Sequence, residues 1–302
     1  MQEPLVSIVT ITYNHEPYIR KCIEGVLMQQ INFPIEFIIA EDCSTDGTLA
    51  ICKEYAEKYP ELIRLITSEN NVGAIANERR AMKAAKGKYI AFCEGDDYWT
   101  DSLKLQKQVD FLEKNLEYSV CFHRCKHFNV VDRTTKDDQC GFLFQNSEEG
   151  VDVTIEMFFD KCITQPLTIV YRSSMFDLHD MLKYKYYRDM HQIYHLLMNG
   201  KGYLFGFEGG VRIVHDGGMH SMVSQINASE MAFNVLNEIF QFNRKDFKVK
   251  KYYINTIKWC IDVNLKNMRY RKVLKYNNLL FCTNYSIKLY IKNTLRIIKS
   301  MC

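Results

Sequence analysis

The 302-residue chain has no window near the roughly 18 to 20 uninterrupted apolar residues that a membrane-spanning helix needs, so a soluble or at most surface-attached protein is expected. Its start, Met1 to Pro4, lacks the basic residues and apolar stretch of an export signal and leads straight into a strand-like run, which points to the cytoplasm. No CxxC pair occurs, and the eleven cysteines lie inside apolar runs, as at Cys22, Cys52, Cys93 and Cys121, without paired spacing. Reduced core thiols fit this better than a disulfide framework or a structural zinc site. Cys121, His123, Cys125 and His127 form one group resembling ligands; on a strand the first three share a face, and core packing explains them more simply. Charge of one sign is lacking too: 39 basic against 36 acidic residues give +3, without the broad basic field of a nucleic-acid binder. There is no GxGxxG after the first strand and no GxxxxGK[ST], which argues against a dinucleotide oxidoreductase and a P-loop nucleotidase. Internal repeats and low-complexity segments are also missing.

What is present is enough apolar material, 47% against 25% charged, to bury a sizeable core, as one domain with an appendage or as two small domains. The first hundred residues alternate short β-branched runs with helical periodicity, the pattern of βα units on a largely parallel sheet. Strands are expected at Val6 to Ile11, Ile35 to Ala40, Ile63 to Thr67 and Tyr89 to Cys93, with helices through Ile19 to Leu27, Leu49 to Tyr59 and about Ala74 to Lys86. A helix through Leu105, Val109 and Leu112 and a strand from Val120 to Phe128 follow. Residues 132 to 152 suggest a polar, weakly patterned loop. Pattern returns at Leu167 to Tyr171, in a helix from Met190 to Met198 stopped by Gly200, and in a strand-like Tyr203 to Val214. From about residue 228 the periodicity is helical and basic to the end, as with Ile287, Tyr290, Ile291, Leu295 and Ile298 beside Lys288, Lys292, Arg296 and Lys299. Such helices either pack on the rest of the chain with a solvated charged face or contact a membrane surface or partner.

In an open parallel sheet, ligands bind at the carboxyl ends of the strands, and the acids gather there. Thr12-Tyr13-Asn14 follows the first strand, Glu41-Asp42 the second, Asn70-Asn71 the third and Glu94-Gly95-Asp96-Asp97 the fourth. Lone carboxylates such as Asp46 and Asp101 fit helix caps. Three acids within four residues at 94–97 repel one another unless a hard cation offsets them, so Mg2+ or Mn2+ is implied. Such a cation completes its shell with waters and phosphate oxygens, so a diphosphate held by metal rather than by glycines is the ligand expected.

The order and spacing of these pieces resemble glycosyltransferase family 2. Val6 to Asn14 resembles its opening strand and nucleotide loop, and Glu41-Asp42-Cys43-Ser44-Thr45-Asp46-Gly47-Thr48 its "DDGSTDGT" turn. Asn71-Val72-Gly73 and Ala84 to Ile90 resemble the segment before its metal motif, and Glu94-Gly95-Asp96-Asp97-Tyr98-Trp99 its DxD motif. The resemblance implies an α/β, GT-A fold with a C-terminal helical extension. Its catalytic domain would span 1–222, with a nucleotide half of about 1–100 and an acceptor half of about 101–222, and the extension would span 223–302. It implies that Asp42 accepts the N3 hydrogen of a uracil, that Thr12, Tyr13 and Asn71 line the nucleotide site, and that Asp96 holds the metal on the diphosphate. Glu94 stands where the family has its first Asp, with Gly95 between the two acids. Asn77-Glu78-Arg79 stands where the family often has Ala-Arg-Asn, leaving Arg79 or Arg80 as a diphosphate contact.

Arg188-Asp189 through Gly200-Lys201 resembles the segment carrying the family's catalytic base, which implies that role for Asp189 against the alternative of a helix cap. Arg212 to Ser221 resembles an element whose histidine, here His215, lies near the diphosphate or metal. The activity implied is metal-dependent, inverting transfer of one sugar from a UDP-sugar to a glycan or lipid-linked glycan acceptor in polysaccharide biosynthesis. The place implied is the cytoplasm, with peripheral contact at the inner membrane face through the C-terminal helices. A non-catalytic nucleotide-sugar-binding scaffold and a sugar nucleotidyltransferase are the alternatives. Processive synthases carry membrane spans and a QxxRW motif, both absent here.

Overall fold

The computed structural model describes residues 3–144, 149–161, 165–216, 224–284 and 286–301. By its internal contacts the chain forms two compact units, Met1–Lys183 with Gln192–His215, and Tyr184–His191 with Asp216–Cys302.

The first unit is built on a sheet of ten strands among the described residues. In chain order the elements are β1 (Val6–Thr12), α1 (Ile19–Leu27), β2 (Ile35–Glu41), α2 (Thr48–Lys58), β3 (Ile63–Ile66), α3 (Ala74–Ala84), β4 (Tyr89–Phe92), β5 (Tyr98–Trp99), α4 (Lys104–Lys114) and β6 (Tyr118–Asn129). Then come β7 (Thr134–Asp137), β8 (Gly150–Val153), α5 (Ile155–Lys161), β9 (Val170–Arg172), α6 (Leu178–Lys183), α7 (Asp189–Asn199) and β10 (Lys201–Val214). The strand order is β3-β2-β1-β4-β9-β6-β10-β5, with β7 beside β6 and β8 beside β10. β3, β2, β1 and β4 run parallel, and β10 runs parallel to β6; β9 joins the two groups by antiparallel pairing with β4 and β6.

The parallel half forms as its sequence pattern demands. β1 is buried at six of its seven residues, and β-branched side chains fill both faces of such a covered strand. α1 buries Ile19, Cys22, Ile23 and Val26, spaced as one stripe of a helix. These meet Ile8, Phe37, Ile39, Tyr89 and Ala91 from the strands and Leu105, Val109 and Leu112 from α4 in one continuous core.

Two expectations change in the second half. The stretch 132–152 is not a plain loop: β7 makes a hairpin with β6, Gly141–Phe144 is a 3-10 turn, and β8 pairs antiparallel with β10. All four residues of β7 are exposed, so this edge strand carries no apolar alternation to betray it. Leu167 to Tyr171 begins as a 3-10 turn, Pro166–Thr168, before β9. β9 is anchored by the buried Arg172 guanidinium, which donates to Tyr118 O at 2.8 Å, Tyr89 Oη at 2.9 Å, Asn115 O at 3.2 Å and Leu112 O. Of the cysteine and histidine group on β6, the first three members are core and His127 is half-buried. Cys121, His123 and Cys125 are buried, and burial drives the His123 imidazole down to about 3 and the Cys121 thiol up to about 12.

The second unit contains α8 (Gln225–Phe242), α9 (Phe247–Lys266), α10 (Tyr270–Asn284) and α11 (Ile287–Met301). Ser224 caps α8 by accepting from Asn227 N, and Asp246 caps α9 by accepting from Lys248 N and Val249 N. No helix among the described residues is long and apolar enough to cross a membrane.

Candidate active site

The loops after β1 and β2 are laced together before any site side chain is considered. Asp42 N donates to Thr12 O at 3.0 Å, Asn14 N to Ser44 Oγ at 3.0 Å, Thr45 N to Asn14 Oδ1 at 2.8 Å and His15 N to Thr48 Oγ1 at 2.8 Å. Just ahead of α2, Asp46 accepts from Thr48 N at 3.0 Å and from Glu16 N at 3.1 Å. The turn that carries β1 into this lattice needs φ 54° at Asn14, a left-handed conformation that asparagine tolerates better than most residues. The result is a rigid shelf that presents His15 beside the end of β4.

There the turn 94–97 closes with Asp97 N donating to Glu94 O at 2.9 Å, and Gly95 N donates back to Ile11 O at 3.0 Å. Gly95 must be glycine, because a Cβ there would lie 2.6 Å from Thr12 Oγ1 and 3.0 Å from His15 Nδ1. Its two neighbours diverge. Asp97, 3% exposed, accepts from Ile213 N at 2.8 Å and so ties the end of β10 to this turn. Burial, then the charges of Asp96 and Glu94, push its carboxyl well above the usual range. Asp96 faces the other way, where His215 Nε2 donates to its Oδ2 at 3.1 Å and His15 Nε2 lies 4.0 Å from the same oxygen. Burial alone would raise the Asp96 carboxyl, but the hydrogen bond from His215 and the charge of His15 outweigh it, and the net shift is downward. His15 is shifted down, chiefly by burial, with Asp96 opposing. Among the described residues, His15, Asp96 and His215 are the one group able to hold a metal ion, with one ligand atom from each within 4.8 Å of the others.

Asp42 stands in a different environment. Only 2% exposed, it accepts from Val72 N at 2.9 Å, Gly73 N at 2.8 Å and Ser68 Oγ at 3.2 Å, and Arg80 Nη2 lies 3.8 Å away. Asn71 adds an Oδ1 contact to Gly73 N, and Gly73 takes φ 84°, where a side chain would be strained. Asp42 thus fixes the whole loop after β3.

The model of the family described as "Glycosyl transferase family 2" matches residues 7–176, more than half of the chain. The chain belongs to glycosyltransferase family 2. It is 41% identical over 118 residues to the putative teichuronic acid biosynthesis glycosyltransferase TuaG of Bacillus subtilis, covering 39% of this chain and 46% of that one. It spans about half the length of the curated relatives it matches, 46% for the first of them. Among solved structures, TarS 1-349 of S. aureus in complex with UDP-GlcNAc superposes with a TM-score of 0.60 at 20% identity, covering 98% of this chain and 88% of that one. A mannosyltransferase of Pyrobaculum calidifontis in complex with GDP-Man and Mn2+ gives 0.57 at 16% identity, covering 100% and 87%. The fold is the GT-A fold, with a helical C-terminal stretch.

Set against the family 2 motifs, the structure brings Thr12, Gly95, Asp96 and His215 together and adds His15, which sequence reasoning missed. The only local signal for His15 was its place in the turn after β1. Thr12 is 2% exposed and its Oγ1 has no hydrogen-bond partner; Tyr13 is 40% exposed, and Glu94 is half-buried. Of the two arginines, Arg79 turns away, donating to Met181 O at 2.6 Å, whereas Arg80 donates to Thr67 O at 2.9 Å and Glu41 O at 3.2 Å beside Asp42. The segment 217–221 of the expected histidine element, with Gly217, Gly218 and Ser221, lies outside the described residues, as does the expected domain boundary at 222–223.

Asp189 is the first residue of α7, and its Oδ1 accepts from Met190 N at 2.9 Å. The segment before it is held within the second unit by Glu238 of α8, whose carboxylate accepts from Lys185 N at 2.9 Å and Tyr186 N at 3.0 Å. The same carboxylate lies 3.5 Å from His191 Nε2, and His191 Nδ1 accepts from Arg188 N at 3.1 Å.

Proposed function

We propose that this chain is a metal-dependent, inverting glycosyltransferase that moves one sugar from a nucleotide diphosphate sugar to a hydroxyl of a growing glycan. The observation that carries the reading is the group His15, Asp96 and His215 at the end of β4. Two features favour a cation there. His15 Nδ1 and Thr12 Oγ1 are buried without hydrogen-bond partners. Two imidazoles and a carboxylate also form a donor set that suits Mn2+ better than Mg2+, which prefers all-oxygen shells. Asp96, His215 and His15 would hold the ion, and the ion when bound supplies Lewis-acid stabilisation of a departing diphosphate.

The remaining roles belong to side chains. Asp42, besides fixing its loop, accepts the N3–H of a uracil, with Tyr13 and Asn71 lining the nucleotide site and Arg80, 3.8 Å from Asp42, rather than Arg79, as the nearby cation. The UDP donor is supported by the UDP-GlcNAc complex of the TarS neighbour. Asp189 acts as general base. Its carboxylate takes the proton of the acceptor hydroxyl while the new oxygen–carbon bond forms at the anomeric carbon. The bond from that carbon to the diphosphate breaks on the opposite face, and the nucleoside diphosphate leaves with the electron pair, so configuration inverts. The glycan acceptor rests on the relationship to TuaG.

Asp189→Asn tests this reading. It should lower transfer by a factor of about 100 or more, with UDP affinity unchanged by calorimetry, because base catalysis contributes about that much. Undiminished turnover in this variant would remove Asp189 from the mechanism.

A further inference from the structure

Charge is divided unevenly along the chain. Asp262 is its last acidic residue; residues 263–302 hold nine of the 39 lysines and arginines and no aspartate or glutamate, leaving 30 basic against 36 acidic residues in 1–262. The excess runs from Lys266 at the end of α9 through α10 and α11.

α11 also exposes apolar surface in a stripe. Ile291, Leu295 and Ile298 are 51%, 52% and 52% exposed, and at 100° per residue they fall on one narrow face. This is not the face that docks the helix. Asn293 and Ile297, 5% and 4% exposed, lie on the far side. There Asn293 Nδ2 donates to Asn277 Oδ1 at 3.1 Å, and Asn277 Nδ2 donates to Tyr290 O at 3.1 Å and Thr294 Oγ1 at 3.2 Å. Lys292, Arg296 and Lys299 follow the apolar stripe round the helix on a single flank, and Arg296 is tied to Asp262 Oδ1 at 2.8 Å. α11 therefore has three sides, one packed on α10, one basic and one apolar but facing outward.

We propose that α11 docks this chain on an anionic lipid surface, with Ile291, Leu295 and Ile298 entering the boundary between headgroups and acyl chains and Lys292 and Lys299 meeting the lipid phosphates. A helix lying in the interface needs an apolar stripe beside basic residues, whereas a helix that spans the membrane needs a length of apolar sequence that α11 does not have. A second copy of the chain is a poorer occupant, because it would bring two segments of nine positive charges together. A soluble acidic polymer would satisfy the lysines but would leave the isoleucines and leucine in water. The inference does not depend on the transfer chemistry.

The test is sedimentation of the full chain with vesicles of phosphatidylcholine alone and of phosphatidylcholine mixed equally with phosphatidylglycerol, at low and high salt. The expected result is binding to the anionic vesicles only, weakened by salt. Ile291→Ser with Leu295→Ser and Ile298→Ser should weaken it about tenfold or more, and so should Lys292→Glu with Lys299→Glu, while UDP affinity stays that of the parent protein. All five positions are exposed, and the charge pair serves as a second route should the apolar triple variant fold poorly. No binding to anionic vesicles would overturn the proposal. Undiminished binding by a folded apolar variant would overturn it in favour of a plain polyanion site. A dimer of the parent protein that this variant splits into monomers would overturn it in favour of self-association.

Discussion

Asp42 and Asp96 end neighbouring parts of the same parallel sheet, yet their surroundings assign them opposite tasks. Asp42 has its carboxylate held by the protein's own donors, Val72 N and Gly73 N from the backbone and Ser68 Oγ from a side chain. Asp96 meets imidazoles instead, His215 at 3.1 Å and His15 at 4.0 Å. A carboxylate that accepts from three protein donors holds a loop, because removing it strands all of them at once, and it still keeps acceptor capacity for a ligand N–H. One faced by imidazoles can exchange its partners for a cation. The difference separates a carboxylate that holds a loop as well as facing a nucleoside base from one free to hold a cation.

Four substitutions sharpen or break this contrast. Asp96→Ala should have the largest effect, a loss of Mn2+-dependent UDP affinity of about 100-fold by calorimetry, with urea stability within about 1 kcal/mol of the parent. Asp42→Ala should show the opposite balance, a loss of about 2 kcal/mol of stability in urea, because backbone donors are left without an acceptor. Should Asp96→Ala prove the more destabilising of the two, the division of tasks is wrong. His15→Ala should weaken Mn2+ binding about tenfold, read by direct titration of the metal, and leave metal-free stability nearly unchanged. Glu238 resembles Asp42 in accepting from successive backbone N–H groups, at Lys185 and Tyr186, and Glu238→Ala should cost about 1 kcal/mol and speed amide exchange at those two residues. Unchanged exchange there would show that the carboxylate does not hold the segment.

Sequence alone carried the parallel half of the fold well. Its strands are covered on both faces and so appear as unbroken β-branched runs, and its helices expose a clean apolar stripe, as in Ile19, Cys22, Ile23 and Val26. The same local signals marked Asp42 and Asp96 as strand-end residues, and the family resemblance pointed to His215. Asp46 and Asp101, expected to be caps, instead lie just outside α2 and α4, where each accepts from the backbone two residues on, at Thr48 N and Leu103 N, and the cap positions fall to Gly47 and Leu103. The second half was harder because its structure is set by partners remote in sequence. β5 is only Tyr98–Trp99 and exists because it pairs with Gly210 and Val211. β10 reaches His215 through register shifts against β6 that no periodicity records. His15 escaped notice for a related reason: it lies in a turn, and hydrogen bonds to the loop after β2, at Ser44, Thr45, Asp46 and Thr48, place that turn against Asp96. The choice between Arg79 and Arg80 was left open by the sequence, because it turns on successive helical residues pointing about 100° apart, one to Met181 and the other to Asp42.

The central claim is that His15, Asp96 and His215 bind a divalent cation that in turn holds a nucleotide diphosphate. Titrating UDP into the purified protein with and without Mn2+ tests it most directly. The account predicts binding in the presence of Mn2+ that falls by at least about tenfold when the metal is chelated, and that falls likewise in His15→Ala and His215→Ala. Equal UDP affinity with and without Mn2+ would contradict it.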